Sequence, residues 1–259
     1  MTEADFTTNE MMTVAAARLL DNGTVCFVGI GLPSQAANLA RLTHAPEVVL
    51  IYESGPIGAK PDILPLSIGD GILAESADTV VPTHEIFRYW LQGGHIDVGF
   101  LGAAQIDRFG NINTTVIGSY ENPKVRLPGA GGAPEIADQA GEVFVVMRQG
   151  RRSFVDKIDF LTTAGYLDGG DAREKLGIKG QGPTRVITDL CILAPEAGSR
   201  ELVVASIHPG VTREQISAAT GWDIRFANEV TETAPPTPGE LGVLREFLAR
   251  TARAHGDNR

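Results

Sequence analysis

Basic residues are in short supply: 22 Lys+Arg stand against 32 Asp+Glu, a formal charge of −10. A nucleic-acid binder needs an excess of cations to displace counterions from phosphate, so that class is excluded. Long apolar runs are also missing. Stretches such as residues 48–52 fall far short of the roughly 20 residues that cross a bilayer, and no membrane partner is expected. The opening, MTEADFTTNE, has neither a basic start nor an apolar stretch, which argues against a secretory leader and for a cytoplasmic protein. Cysteine is scarce. Cys26 and Cys191 each lie in an apolar run and read as small buried hydrophobes of a reducing compartment, not as a disulfide or a metal site. The histidines are scattered, His208 falls in a turn-like His-Pro-Gly, and none has ligand spacing to another His or Cys, so no metal is expected.

What is present is the material of a globular enzyme: 43% hydrophobic residues, 21% charged and 30 glycines. Residues 9–20 carry apolar side chains at Met12, Ala15, Ala16 and Leu19, which is helical spacing with Asn9 as N-cap. Asn22-Gly23 breaks the chain, and residues 24–28 form a continuous apolar run of the kind found in buried parallel strands. Helical stretches are predicted over 34–42, 212–220 and 241–254, and strands over 48–52, 98–101, 143–147, 186–193 and 202–207. Alternation of this kind gives an α/β fold, an open and mostly parallel sheet with helices on both faces. The Gly-rich, charged segment 165–183 reads as a surface excursion, and the Pro-rich piece 234–239 as a spacer before the last helix. Neither resembles a linker between independent cores, so a single domain over 1–259 is expected.

Four stretches can carry chemistry. Gly29-Ile30-Gly31-Leu32-Pro33-Ser34 lies between a strand and a helix, where a dinucleotide fingerprint would sit. However, Ser34 stands where the third glycine belongs, and a Gly/Pro loop follows Glu53 where a helix should begin. The stretch is either a tight turn or a gathering of amides suited to an anion or acyl oxygen. Glu53 ends the run Val48-Val49-Leu50-Ile51-Tyr52 and is followed by Ser54-Gly55-Pro56, which puts a carboxylate at the mouth of the sheet, or else a capping or ion-paired Glu. Asp107 and Asn111, in LGAAQIDRFGNIN, suit an Asx-ordered turn at Gly110, and with Asn113 they are taken as structural. Pro128-Gly129-Ala130-Gly131-Gly132-Ala133-Pro134 is so poor in side chains that its backbone is what matters, unless it is a mere connection.

Five blocks in order, VGIGLPSQAANLA, YESGPIGAKP, FLGAAQIDRFGNIN, GAGGAPEIA and IHPGVTREQISAATGW, make the chain resemble a B subunit of the class I CoA-transferases over nearly its whole length. Many of these enzymes have S-E-N-G around the essential glutamate. Here Tyr52-Glu53-Ser54-Gly55 points to the glutaconate-type branch, and SFVDKIDF with ITDLCIL to the group within it that acts on 3-oxoadipate. The resemblance implies transfer of CoA from succinyl-CoA to 3-oxoadipate in aromatic-compound degradation. Glutaconate or another short oxoacid, or hydrolysis of a CoA thioester on the same fold, are the alternatives. It further implies Glu53 as covalent nucleophile, the Gly131 amide (or its neighbour Gly132) as oxyanion donor, and Gly29 and Gly31 as the floor beneath Glu53. CoA is then a substrate and no cofactor is held permanently. The partner is an A subunit, in an A₂B₂ assembly. CoA phosphates would meet local cations, with Lys60, Lys124 and Arg126 as candidates.

Overall fold

The computed structural model describes residues 6–256; residues 1–5, the start of the stretch weighed as a leader, lie outside them. Helix α1 (Thr8–Ala17) opens at Thr7, whose hydroxyl accepts from the Glu10 amide while the Glu10 carboxylate accepts from the Thr7 amide. The N-cap is therefore Thr7 and not Asn9, because a reciprocal capping box satisfies two of the helix's unpaired donors. By its contacts the chain falls into two units, Met1–Phe100 with Pro235–Arg259, and Leu101–Ala234.

In the first unit, β1 (Val25–Phe27) leads into α2 (Leu32–Leu42), followed by β2 (Val49–Ile51) and the short β3 (Pro56–Ile57). Then come α3 (Gly71–Glu75), β4 (Thr79–Val80), α4 (Thr83–Glu85) with a π-helical turn at Ile86–Leu91, and β5 (Val98–Leu101). The strand order is β5-β1-β2-β3-β4. β1 pairs in parallel with β2 and β5, whereas β2–β3 and β3–β4 are antiparallel. Cys26, Leu50 and Ile51 are fully buried, which is why these strands read as unbroken apolar runs. The last helix, Pro238–His255, returns to this unit and buries Leu244 and Phe247. Two ion pairs fasten it to the first helix and its end, Glu10–Arg245 and Arg18–Glu240, each at 2.6 Å.

The second unit begins with two hairpins, β6 (Gln105–Ile106) with β7 (Ile112–Asn113) and β8 (Val116–Gly118) with β9 (Pro123–Arg126). After them come α5 (Ala133–Gln139), β10 (Glu142–Val146), α6 (Ala172–Lys175), β11 (Pro183–Ile187), β12 (Cys191–Pro195), β13 (Leu202–Ile207), α7 (Arg213–Ala218) and β14 (Arg225–Glu232). The order is β14-β13-β12-β11-β10, with parallel ladders at β10–β11 and β13–β14 and antiparallel ones at β11–β12 and β12–β13. The α/β sheet expected from the sequence is present, extended by antiparallel ladders. Residues 186–193 are not one strand but two strands of a hairpin: the Thr188 hydroxyl accepts from the Leu190 and Cys191 amides at 3.0 and 2.9 Å and turns the chain back. Nor is segment 165–183 wholly a surface excursion. Arg173 within it is only 4% exposed, and its guanidinium donates to the carbonyls of Gly180, Ala164, Gly165 and Ala137.

Both cysteines are buried, and desolvation pushes their thiols up, that of Cys191 to about 12. Among the described residues no helix is long and apolar enough to cross a membrane.

The ion pairs of the first unit make its stability depend on acid. The bond from Arg245 draws Glu10 down to about 2. For Glu240 burial works the other way, but the bonds from Arg18 and Thr237 outweigh it and again hold the carboxyl at about 2. A carboxylate depressed on folding stabilises above its unfolded value and loses that contribution as pH falls toward the folded one. Urea melts are therefore expected to lose stability between pH 4.5, the ordinary value, and about 2. The double variant Glu10→Gln/Glu240→Gln should flatten that limb, with its deficit largest above pH 4.5.

Candidate active site

Strand β2 delivers its chain to a tight reversal. The Tyr52 amide donates to the Pro56 carbonyl and the Gly55 amide to the Tyr52 carbonyl, both at 3.0 Å, so Glu53 and Ser54 form the tip. The base is locked from several sides. Tyr52 is fully buried with its hydroxyl 3.2 Å from that of buried Ser34, and burial pushes the phenol up. The Ser54 hydroxyl donates to the Ile68 carbonyl at 2.6 Å. At Gly55, φ is +122°, and a Cβ would lie 2.0 Å from the Val81 carbonyl oxygen, so no other residue fits. Glu53 itself is half-buried, and among the described residues its carboxylate has neither a hydrogen-bond nor an ion-pair partner. The capping or ion-paired role weighed for it is not what the structure contains.

Gly29 and Gly31 lie in the same unit, on the loop between β1 and α2. The Val28 amide donates to the Ile51 carbonyl at 2.9 Å, which holds this loop's start against the end of β2, the strand that carries Glu53. Gly31 is the N-cap of α2 with φ +82° and ψ −134°, a conformation closed to residues with a side chain. Among the described residues the amides of Gly29, Ile30 and Gly31 have no acceptor, so three unengaged donors directly precede the start of an 11-residue helix.

Gly131 and Gly132 belong to the second unit. Their loop is clamped and not a loose connection: the Gly129 amide donates to the Thr114 carbonyl at 2.9 Å, and the Thr114 hydroxyl returns a bond of 2.8 Å to the Gly129 carbonyl. Gly131, at φ +51°, is exposed, and its amide has no acceptor among the described residues. Gly132 is buried and caps α5. Asp107, Asn111 and Asn113 brace the β6–β7 hairpin. Asp107 accepts from the amides of Phe109 and Asn111 and from the Asn111 side chain, and Asn113 binds Gln105 and the Val116 carbonyl. Burial pushes the Asp107 carboxyl up, against those bonds.

The candidate cations are unevenly placed. Lys60 is paired with Asp78 at 2.7 Å, Arg126 lies 4.7 Å over the Tyr120 ring and donates to that residue's carbonyl, and Lys124 is exposed on β9. His208 is 2% exposed between Thr233 and the Thr188 carbonyl, and burial draws its pKa down, so it is a neutral member of the frame. Among the described residues no three His, Cys, Asp or Glu side chains gather to hold a metal ion. The interlock of Gly55 with Val81 and of Tyr52 with Ser34 had no signal in the sequence, because each joins residues remote along the chain.

A family model described as Coenzyme A transferase matches residues 9–219. The B subunit of the 3-oxoadipate CoA-transferase of Pseudomonas knackmussii is 72% identical over 97% of this chain and 96% of its own. Its counterpart in the glutaconate CoA-transferase of Acidaminococcus fermentans is 35% identical over 94% of this chain and 93% of its own. The crystal structure of that glutaconate enzyme matches with a TM-score of 0.88 at 33% identity, covering 95% of each chain. The decarboxylase AibA/AibB, with a TM-score of 0.82 over 97% of this chain and 98% of its own, is 24% identical and shares the fold.

The reversal at Tyr52–Pro56 sets a stability test. Gly55→Ala is expected to cost about 3 kcal/mol or more, since both the positive φ and the Val81 carbonyl oppose it. Ser54→Ala, which removes one partly buried hydrogen bond, should cost about 1 kcal/mol. Chemical denaturation of the two variants measures both.

Proposed function

The chain belongs to the coenzyme A transferase family, and from that premise we propose that it is the B subunit of an enzyme that moves CoA from succinyl-CoA to 3-oxoadipate, in the breakdown of aromatic compounds. The likeness to the Pseudomonas knackmussii protein supports the choice of acid. The chemistry rests on one observation: Glu53 stands at the tip of a rigid turn with no partner among the described residues to hold its carboxylate.

A thioester is present on both sides of this reaction, so no metal or nucleotide is needed, and CoA enters as substrate with no permanent cofactor. A carboxylate is already ionised near neutrality and attacks without an activating base. One Glu53 oxygen adds to the succinyl carbonyl and CoA leaves as thiolate, giving a mixed anhydride. The thiolate then adds to the Glu53 carbonyl and expels succinate, leaving a glutamyl-CoA thioester. The 3-oxoadipate carboxylate attacks that carbonyl and frees the thiolate once more. Finally the thiolate attacks the oxoadipyl carbonyl, releasing 3-oxoadipyl-CoA and restoring the Glu53 carboxylate.

Every addition passes through an oxyanion, and an aimed backbone amide is worth about 10²–10³ in rate. Gly131, with an unengaged amide, takes this role on the present chain, with Gly132 beside it, and the partner A subunit provides the second donor. Gly29 and Gly31 leave room for the coenzyme's reacting end to approach the main chain. The working assembly is A₂B₂ in the cytoplasm, where the buried thiols remain reduced.

Incubating the A–B complex with succinyl-CoA and no acceptor is expected to leave CoA mass on the tryptic peptide that contains residues 52–60. Glu53→Ala should lose that mass and lower transfer by roughly 10³-fold or more. Full activity in Glu53→Ala, or release of free CoA at the transfer rate without an acceptor, would overturn the proposal. A panel of acids with succinyl-CoA tests the acceptor, with 3-oxoadipate expected to give the highest kcat/KM.

A further inference from the structure

The second unit contains a cavity of about 390 Å³, lined among others by Tyr166, Arg173, Glu174, Lys179, Arg185 and Arg200. None of these residues has a part in the transfer chemistry. The cavity lies by the C-terminal end of α5, where Ala137 accepts from Arg173, whereas Gly131 precedes that helix's N-terminus, about 10 Å away along the helix axis.

The lining is rich in donors and poor in acceptors. Lys179 is exposed and has no partner among the described residues. Arg185 makes one bond, to the carbonyl of its own neighbour Thr184 at 2.7 Å, which leaves most of its N–H groups unused. Arg200 sits at φ +61°, a conformation in which glycine is the inexpensive residue, in the turn between β12 and β13. That strained backbone carries a guanidinium 5.6 Å from the centre of the Tyr166 ring. Glu174 is the one carboxylate of the lining. It is exposed, and it approaches Arg200 only to 3.8 Å.

Tyr166 offers a further donor. The residue is 3% exposed as a whole, but its hydroxyl is not a buried orphan: it has no hydrogen-bond partner among the described residues and opens to solvent. Burial pushes this phenol up to about 12, so it remains a protonated donor at neutral pH. Arg173, also in the lining, is saturated by four main-chain carbonyls and contributes a fixed positive charge. The nearby Glu142 carboxylate accepts from the Thr184 hydroxyl and adds a negative charge beside Tyr166.

We propose that this cavity binds a small phosphate-class dianion, through Lys179, Arg185, Arg200 and the Tyr166 hydroxyl. Two guanidinium forks and an ammonium suit an oxyanion with several equivalent acceptors, and the one carboxylate of the lining, Glu174, competes for Arg200 only from 3.8 Å.

The test uses the A–B complex saturated with CoA, so that groups recognising the coenzyme's phosphates are already occupied. Inorganic phosphate is titrated calorimetrically at constant ionic strength against a chloride blank, with succinate as a parallel arm. Saturable binding of one phosphate per copy of this chain is expected. Arg200→Gly, whose backbone suits that φ, should fold at least as stably as the parent and weaken phosphate binding tenfold or more; Lys179→Gln should weaken it by several fold. Variants that titrate like the parent, heat that never saturates, or saturable binding of succinate without phosphate would each overturn the proposal.

Discussion

The reversal between Tyr52 and Pro56 governs where the Glu53 carboxylate can be. It is built almost entirely from main chain: two hydrogen bonds of 3.0 Å close it, and the Val81 carbonyl leaves no room for a side chain at Gly55. Tyr52 anchors the strand end by burying its ring and meeting Ser34. Glu53 is thus held by its backbone while its carboxylate is left without a partner among the described residues. A carboxylate held in this way can meet an incoming group without an ion pair first being broken.

The same preference for main chain over side chain recurs in the glycine loops. Gly31 adopts a backbone that a Cβ would oppose, and Gly131, exposed and with no acceptor for its amide among the described residues, lies on a loop clamped at Gly129 by Thr114. Amides fixed in this way need no reorganisation when charge develops near them, which is the condition under which such donors are most effective. The polar residues behind the second loop, Asp107, Asn111 and Asn113, bind one another and nearby amides, and so supply stiffness instead of chemistry.

Much of this was legible in the amino acids. Val98–Leu101 and Leu202–Ile207 read to the residue because buried strands leave continuous apolar runs. Glu53 stands out as a carboxylate at the end of such a run, followed by Ser-Gly-Pro, but its position alone leaves a capping or ion-paired role open, and the proposed role comes from the family resemblance. The failures have physical reasons. The hairpin at Thr188 turns on a hydroxyl that replaces a backbone bond, so the apolar pattern runs across it without interruption. The hairpins formed by β6–β9 are too short to show a period. Arg173 looked solvated because its acceptors are carbonyls, and a carbonyl leaves no mark on residue type. The T-x-x-E of the first capping box, by contrast, was in plain view at Thr7.

The unit that carries Glu53 is interrupted in sequence, whereas Leu101–Ala234 is continuous. A ribosome therefore emits everything needed for the continuous unit before it emits Pro235 onward, the segment that closes the interrupted one through Glu10–Arg245 and Arg18–Glu240. During translation the face of the first two helices that the last helix covers stays open until Leu244 and Phe247 have been made.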